Sequence, residues 1–191
     1  TLRLAASEGR NRAIIDLLAM TGIRVGEAVG LNVEDLEEGW MRIRAETSKS
    51  HRTRRVPINA RASEAATVLL ERPLSEAVPQ PLLRNARGGR LTRRSVQKIL
   101  AQTGRAAGLH LHPHLLRHYF ITELANRGVP LHVIRSAVGH RNLATTNAYL
   151  HTRDDQLASA VRLLDPDPSA LLKAANEASP AFAVGGARSV I

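Results

Sequence analysis

Two groups of residues in this sequence have the types and spacing to handle a phosphate ester and the protons that move with it. The 27 basic residues include only three lysines, Lys49, Lys98 and Lys173, which leaves 24 arginines. Arginine stays charged up to a pKa above about 12 and cannot give up a proton, whereas a lysine can act as a general acid once its surroundings lower its pKa. Lys49 lies in the basic run SKSHRTRRVPI from Ser48 to Ile58. Taken alone, it is equally a lysine of any surface loop. The segment Pro113-His114-Leu115-Leu116-Arg117-His118 places His114 and Arg117 three apart, on one face of a helix, where an imidazole and a guanidinium fork can reach one phosphate. On spacing alone, such a pair is more commonly a solvated basic face. His110, His112 and His114 alternate, but without cysteine or a nearby acid, and with Pro113 between two of them, they are not expected to hold zinc. No metal or other cofactor is expected.

These residues need elements to position them. Ile14, Ile15, Leu17 and Leu18 give the apolar stripe of a helix from Arg10 to Met20, closed by Thr21 and Gly22, and a short helix follows from Val25 to Leu31. Trp40 to Ala45 and Arg54 to Ile58 alternate apolar and basic residues on either side of the polar run Glu46 to Thr53, which predicts a small β-hairpin with Lys49 in its basic tip. Asn59 caps a helix to about Arg72, a surface loop runs from Pro73 to Pro81, and Thr92 caps a helix ending near Gly108. Pro113 stands in the first turn of the helix that carries His114 and Arg117 on to Gly128, and Pro130 opens another that stops at Gly139. A short helix or turn is expected from Leu143 to Leu150, a helix from Gln156 to Leu164 after Asp154, and a last one from Pro168. The expected fold is mainly α with one small antiparallel β-sheet. It forms a single domain over residues 1–178, with a loose tail at 179–191.

Four strings occur in order: TGIRVGEAVGLNVEDL from Thr21, SKSHRTRRVPI from Ser48, HLLRHYF from His114 and VGHRNLATTNAYLH from Val138. Together, over roughly Arg10 to Leu164, they resemble the tyrosine recombinases, the family of phage integrases and Xer-type resolvases. The resemblance implies the DNA breaking-rejoining catalytic fold of that family and a 3′-phosphotyrosyl intermediate that conserves the energy of the phosphodiester bond. By the same resemblance Tyr149 matches the nucleophile, Arg24 and Arg117 the clamp on the non-bridging oxygens, and Lys49 the donor to the departing 5′-oxygen. His114 matches a proton acceptor or hydrogen-bonding partner near the phosphate, and His140 a side chain that supports it. Glu27 matches an acid that holds the arginines in place. Gly26 and Val138 depart from the family's usual residues at positions expected to carry no chemistry. Tyr119, the other tyrosine, is expected to be a half-buried aromatic, and His118 a structural residue. Arg52 and Arg54 beside Lys49, and Arg93 and Arg94 after Thr92, are candidates for contact with DNA phosphates or grooves.

Composition agrees with this picture. A net charge of +10 suits a polyanionic partner, and the absence of cysteine removes disulfide scaffolds, thiol catalysis and cysteine-based zinc sites. No stretch approaches the roughly 20 apolar residues that span a bilayer. The expected function is site-specific recombination (integration) of double-stranded DNA. The alternatives are a type IB topoisomerase-like relaxing enzyme and a DNA-binding module that keeps the fold without catalysis. The resemblance further implies a chain that is monomeric when free and joins a tetrameric synapse on DNA, with accessory DNA-bending proteins, in the bacterial cytoplasm or nucleoid. Relatives usually carry a helical DNA-binding domain ahead of this region, and a chain starting at Thr1 is expected to lack it. Leu157, Ala160, Val161 and Leu164 share a helical face expected to pack either in cis or on a neighbouring protomer.

Overall fold

The computed structural model of the protein describes residues 9–48, 52–71, 79–139 and 154–164. Lys49, His140 and Tyr149 lie outside the described residues, as do the segment expected at Leu143 to Leu150, the helix expected from Pro168 and the tail expected at 179–191.

Helix α1 (Arg10–Thr21) is the centre of the fold. Every residue from Ala13 to Thr21 is buried, so this helix is covered on all sides rather than along one stripe. It packs on α3 (Ala60–Leu70) and α5 (Pro113–Asn126). The charged Asp16 is tolerated there because Arg61 of α3 donates to it at 2.7 Å, and a buried charge needs a partner of this kind. The helix stops at Gly22, whose φ of 60° is left-handed and whose N–H bonds to the Leu18 carbonyl. Two requirements meet at this glycine, since a Cβ there would also stand 2.4 Å from the Phe120 ring.

The chain then forms α2 (Val25–Gly30), one 3-10 turn (Val33–Asp35) and strands β1 (Leu36–Glu37), β2 (Trp40–Ile43) and β3 (Arg54–Pro57). The sheet is antiparallel in the order β1-β2-β3. A hairpin was expected. The structure adds the two-residue strand β1, made possible by the turn at Gly39 with φ 72°, and β2 ends at Ile43 instead of Ala45. Beyond it, the amides of Thr47 and Ser48 fold back onto the Arg44 carbonyl. Met41, Ile43 and Val56 are fully buried on one face of the sheet. On the other, the Arg55 guanidinium lies 4.6 Å from the centre of the Trp40 ring, a cation–π contact.

Three of the remaining helices begin with a side-chain cap. Asn59 accepts from the Ala62 amide at 2.9 Å and opens α3, and Thr92 accepts from Ser95 at 3.1 Å and opens α4 (Arg93–Ala106). At α5 the cap is His112, whose Nδ1 accepts from the Leu115 amide at 3.3 Å ahead of Pro113. Helix α6 (Leu131–Val138) ends at Gly139 with φ 65°, and α7 (Asp154–Arg162) follows. Phe120 and Leu124 of α5, Val133, Ile134, Ala137 and Val138 of α6, and Leu157, Ala160, Val161 and Leu164 form a second apolar cluster. The face shared by Leu157 and Leu164 is therefore packed in cis.

Candidate active site

Four segments converge on one cleft of about 390 Å³, lined by residues 23–27, by Glu46, Thr47 and Ser48, by Arg93 at the start of α4, and by Pro113, His114 and Arg117. The first segment leaves α1 through Gly22. Arg24 is the residue before α2, and its amide donates to Glu27 Oε2 at 2.9 Å while its Nη1 reaches Glu27 Oε1 at 3.3 Å. A short helix is thus closed back on its own first residue, and its amide is satisfied by an acid at the end where acids are favoured.

The second wall is held from behind. Arg44 donates to the Gly30 carbonyl at 2.7 Å and pairs with Asp35 at 3.3 Å. A Cβ on Gly30 would lie 2.3 Å from Thr47 Cγ2, so the glycine lets the turn at 44–48 press against the end of α2. The third wall is the first turn of α5. His114 is exposed there, and Arg117, one turn on, points inward and is 8% exposed. Its Nη1 donates to the Gly22 carbonyl at 2.5 Å and its Nη2 to the Val138 carbonyl at 2.7 Å. One side chain ties the loop after α1 to the end of α6.

The electrostatics follow from this geometry. Burial first, and then the positive charges of Arg24 and Arg54, pull the Arg117 pKa down to about 10 against the opposing pull of Glu27. The group remains charged at neutral pH, at a cost that an incoming anion would relieve. Glu27, 1% exposed, is pushed up by burial, but the hydrogen bonds and charge of Arg54, and then those of Arg24, outweigh this and leave its carboxyl below the ordinary range. Among the cleft-lining residues, Arg24, Arg93 and Arg117 stand against Glu27 and Glu46, and Glu27 is further neutralised by Arg54. The arrangement could accept a phosphoryl group: guanidinium forks match non-bridging oxygens, and the His114 imidazole lies beside them.

Of the residues singled out from the sequence, Arg24, Arg93, His114 and Arg117 share this cleft. Arg52 and Arg94 are exposed and do not line it. Arg54, a candidate for DNA contact, is held by an acid of the neighbouring segment. It lies on β3 directly opposite Ile43, on the inner face with Val56, and its Nη1 and Nη2 each donate to Glu27 at 2.9 Å. Gly26, to which no chemistry was assigned, lies close to the Arg93 guanidinium: a Cβ there would come 3.0 Å from it, and the exposed arginine side chain would have to shift slightly. Tyr119 is fully packed rather than half-buried. Among the described residues no group of three or more His, Cys, Asp or Glu side chains converges as a metal site, and His112 Nδ1 is occupied as a helix cap. No helix among the described residues is long and apolar enough to cross a membrane.

Comparison with known proteins agrees with the geometry. The profile of the phage integrase family matches residues 2–156. The chain is 36% identical over 167 residues to the tyrosine recombinase XerC of Halalkalibacterium halodurans, covering 82% of this chain and 55% of the relative. The fold superposes on the integrase from mycobacterium phage Brujita with a TM-score of 0.68 and 26% identity, over 88% of this chain and 58% of that one. It also superposes on the XerH site-specific recombinase, solved bound to its difH substrate as a pre-cleavage complex, with a TM-score of 0.57 and 29% identity, over 78% of this chain and 45% of that one. The chain spans about half the length of the relatives it matches.

Proposed function

The chain belongs to the phage integrase family, and from that premise we propose that it is the catalytic part of a site-specific tyrosine recombinase acting on double-stranded DNA. The observation that carries this reading is the convergence of Arg24 with His114 and Arg117, drawn from two separate parts of the sequence, on one cleft. The excess of basic charge and the pre-cleavage complex of the similar XerH with its substrate support DNA as the partner.

In the proposed reaction the Tyr149 hydroxyl attacks the scissile phosphorus. The P–O5′ bond breaks, leaving a 3′-phosphotyrosyl link and a free 5′-hydroxyl. The tyrosine proton passes to His114 and the departing 5′-oxygen takes a proton from Lys49, so protons balance across the step. Arg24 and Arg117 hold the non-bridging oxygens, where negative charge accumulates as phosphorus becomes five-coordinate, and His140 adds a hydrogen bond. A 5′-hydroxyl from a partner duplex reverses the sequence. Bond exchange between two duplexes requires a synapse, taken here as four copies of the protein that are monomeric when free, with DNA-bending proteins as accessories.

The test is covalent capture on nicked duplexes that carry the parent element's site, where loss of a short 5′-hydroxyl strand blocks religation. A denaturation-resistant protein–DNA adduct that disappears in Tyr149→Phe is expected. DNA binding without any adduct, from the protein as its gene encodes it, would leave a binding module. Supercoil relaxation without strand exchange would favour the topoisomerase-like reading.

A further inference from the structure

We infer that Arg54 is a positioning residue of this reaction: it occupies the Glu27 carboxylate, and so keeps the Arg24 guanidinium available to the scissile phosphate. The inference rests on the recombinase reading above and deepens it.

An ionised carboxylate has about four acceptor sites. At Glu27 all four are taken, two by the Arg54 fork at 2.9 Å each, one by the Arg24 amide at 2.9 Å and one by Arg24 Nη1 at 3.3 Å. The fork–fork geometry, the shorter contacts and the lower exposure all belong to Arg54, whose side chain is 15% exposed against 30% for Arg24. Arg24 is left with one long contact, and its remaining donors are uncommitted to Glu27. Remove Arg54, and among the described residues Arg24 is the cation already hydrogen-bonded to the buried carboxylate and free to take up the bidentate pairing, since Arg117 is held by the Gly22 and Val138 carbonyls. A clamp arginine so paired meets the phosphate only after giving up an ion pair.

A second set of contacts gives Arg54 a hold on Arg117. A Cβ on Gly139 would stand 3.1 Å from Arg54 Cζ and Nε, so the guanidinium lies against the backbone turn that closes α6. The carbonyl just before that turn, Val138, accepts from Arg117 Nη2. Arg54 therefore braces one clamp arginine through Glu27 and the other through the 138–139 turn, without itself facing the cleft. The strand's alternation puts it there: Arg54 and Val56 share the inner face of β3, and Arg55 takes the outer one.

The experiment measures single-turnover adduct formation and DNA affinity separately in the protein as its gene encodes it, well below each variant's melting temperature. Arg54→Met is expected to slow adduct formation about 100-fold while affinity changes less than about threefold, because misplacing a reacting group costs rate more than binding. Arg54→Lys, with charge but no fork, recovers about tenfold. Adding Glu27→Gln to Arg54→Met removes the competing carboxylate and also recovers about tenfold, a reversal that simple loss of stability would not give. Arg61→Met breaks the buried pair with Asp16 elsewhere in the fold and is the control; its melting temperature falls but its rate on bound DNA does not. The inference is overturned if Arg54→Met loses affinity and salt dependence with an unchanged rate on bound DNA, which is the signature of a phosphate contact, or if the Arg54→Met/Glu27→Gln pair is no faster than Arg54→Met alone. A wild-type protein that forms no adduct sinks the recombinase reading instead. The hold on Glu27 is read separately from the carboxyl titration by NMR: a rise in the Glu27 pKa in Arg54→Met supports it, and an unchanged titration overturns it whatever the DNA assay gives.

Discussion

At the scale of single residues, the site depends on arginines fixed by neutral oxygens and by one shared acid. Arg117 spends two donors on the Gly22 and Val138 carbonyls, which sets its orientation before any substrate arrives. Arg117→Lys keeps the charge but cannot span both carbonyls and a phosphate, and adduct formation is expected to fall about 100-fold or more. Glu27 gives the protein a pH dependence of definite sign. Its carboxyl titrates below the ordinary value of 4.5, so its contribution to stability is fully present above that value and is lost as pH falls through the lower folded-state pKa. Thermal melts across this acid range are expected to show a steeper decline for wild type than for Glu27→Gln. Gly22→Ala must hold a left-handed φ and displace the Phe120 ring, and is expected to cost on the order of 2–4 kcal/mol in denaturant unfolding.

At the scale of elements, α5 presents His114 and Arg117 from a first turn whose amide is capped by an imidazole. The cap works only while His112 Nδ1 is unprotonated. Burial, and then the neighbouring charges of His110 and His114, lower its pKa from 6.5. The unfolded chain therefore binds a proton there more readily than the folded one, and stability declines as pH falls from about 6.5 through the folded-state value. His112→Ser supplies a hydroxyl cap that does not titrate, and is expected to flatten this part of the stability–pH curve. An equal slope in wild type and variant would show that the cap is not the titrating element. The sheet behaves similarly as a unit: its inner face seats Arg54 beside Ile43 and Val56, and its outer face stacks Arg55 on Trp40.

At the scale of the whole molecule, a net charge of +10 and an arginine-lined cleft would make the proposed DNA binding a matter of counterion release. If Arg24 and Arg117 share the scissile phosphate and Arg93 neutralises a second, these residues are expected to contribute about −2 to the slope of log K against log salt. Arg93→Ala is expected to lower that magnitude by about one, with little change in sequence preference. Binding titrations at several salt concentrations check both values, and a slope near zero would mean that the basic charge does not face DNA.

Much of this was legible in the sequence because it rests on local chemistry. Thr92, Asn59 and Pro113 mark helix starts, Gly22 and Gly139 mark ends, and the His-x-x-Arg pair lies on one helical face by spacing alone. Strand alternation also tells Arg54 from Arg55: a period of two with Val56 inward puts Arg54 inward as well. Only the tertiary structure decided which arginines keep their charge for a ligand. Glu27 is 27 residues from Arg54, and Arg117 bridges carbonyls 95 and 21 residues away. Such pairings depend on how α2, β3, α5 and the end of α6 meet, and burial, which turns a basic residue into a brace or a clamp, exists only once they have met.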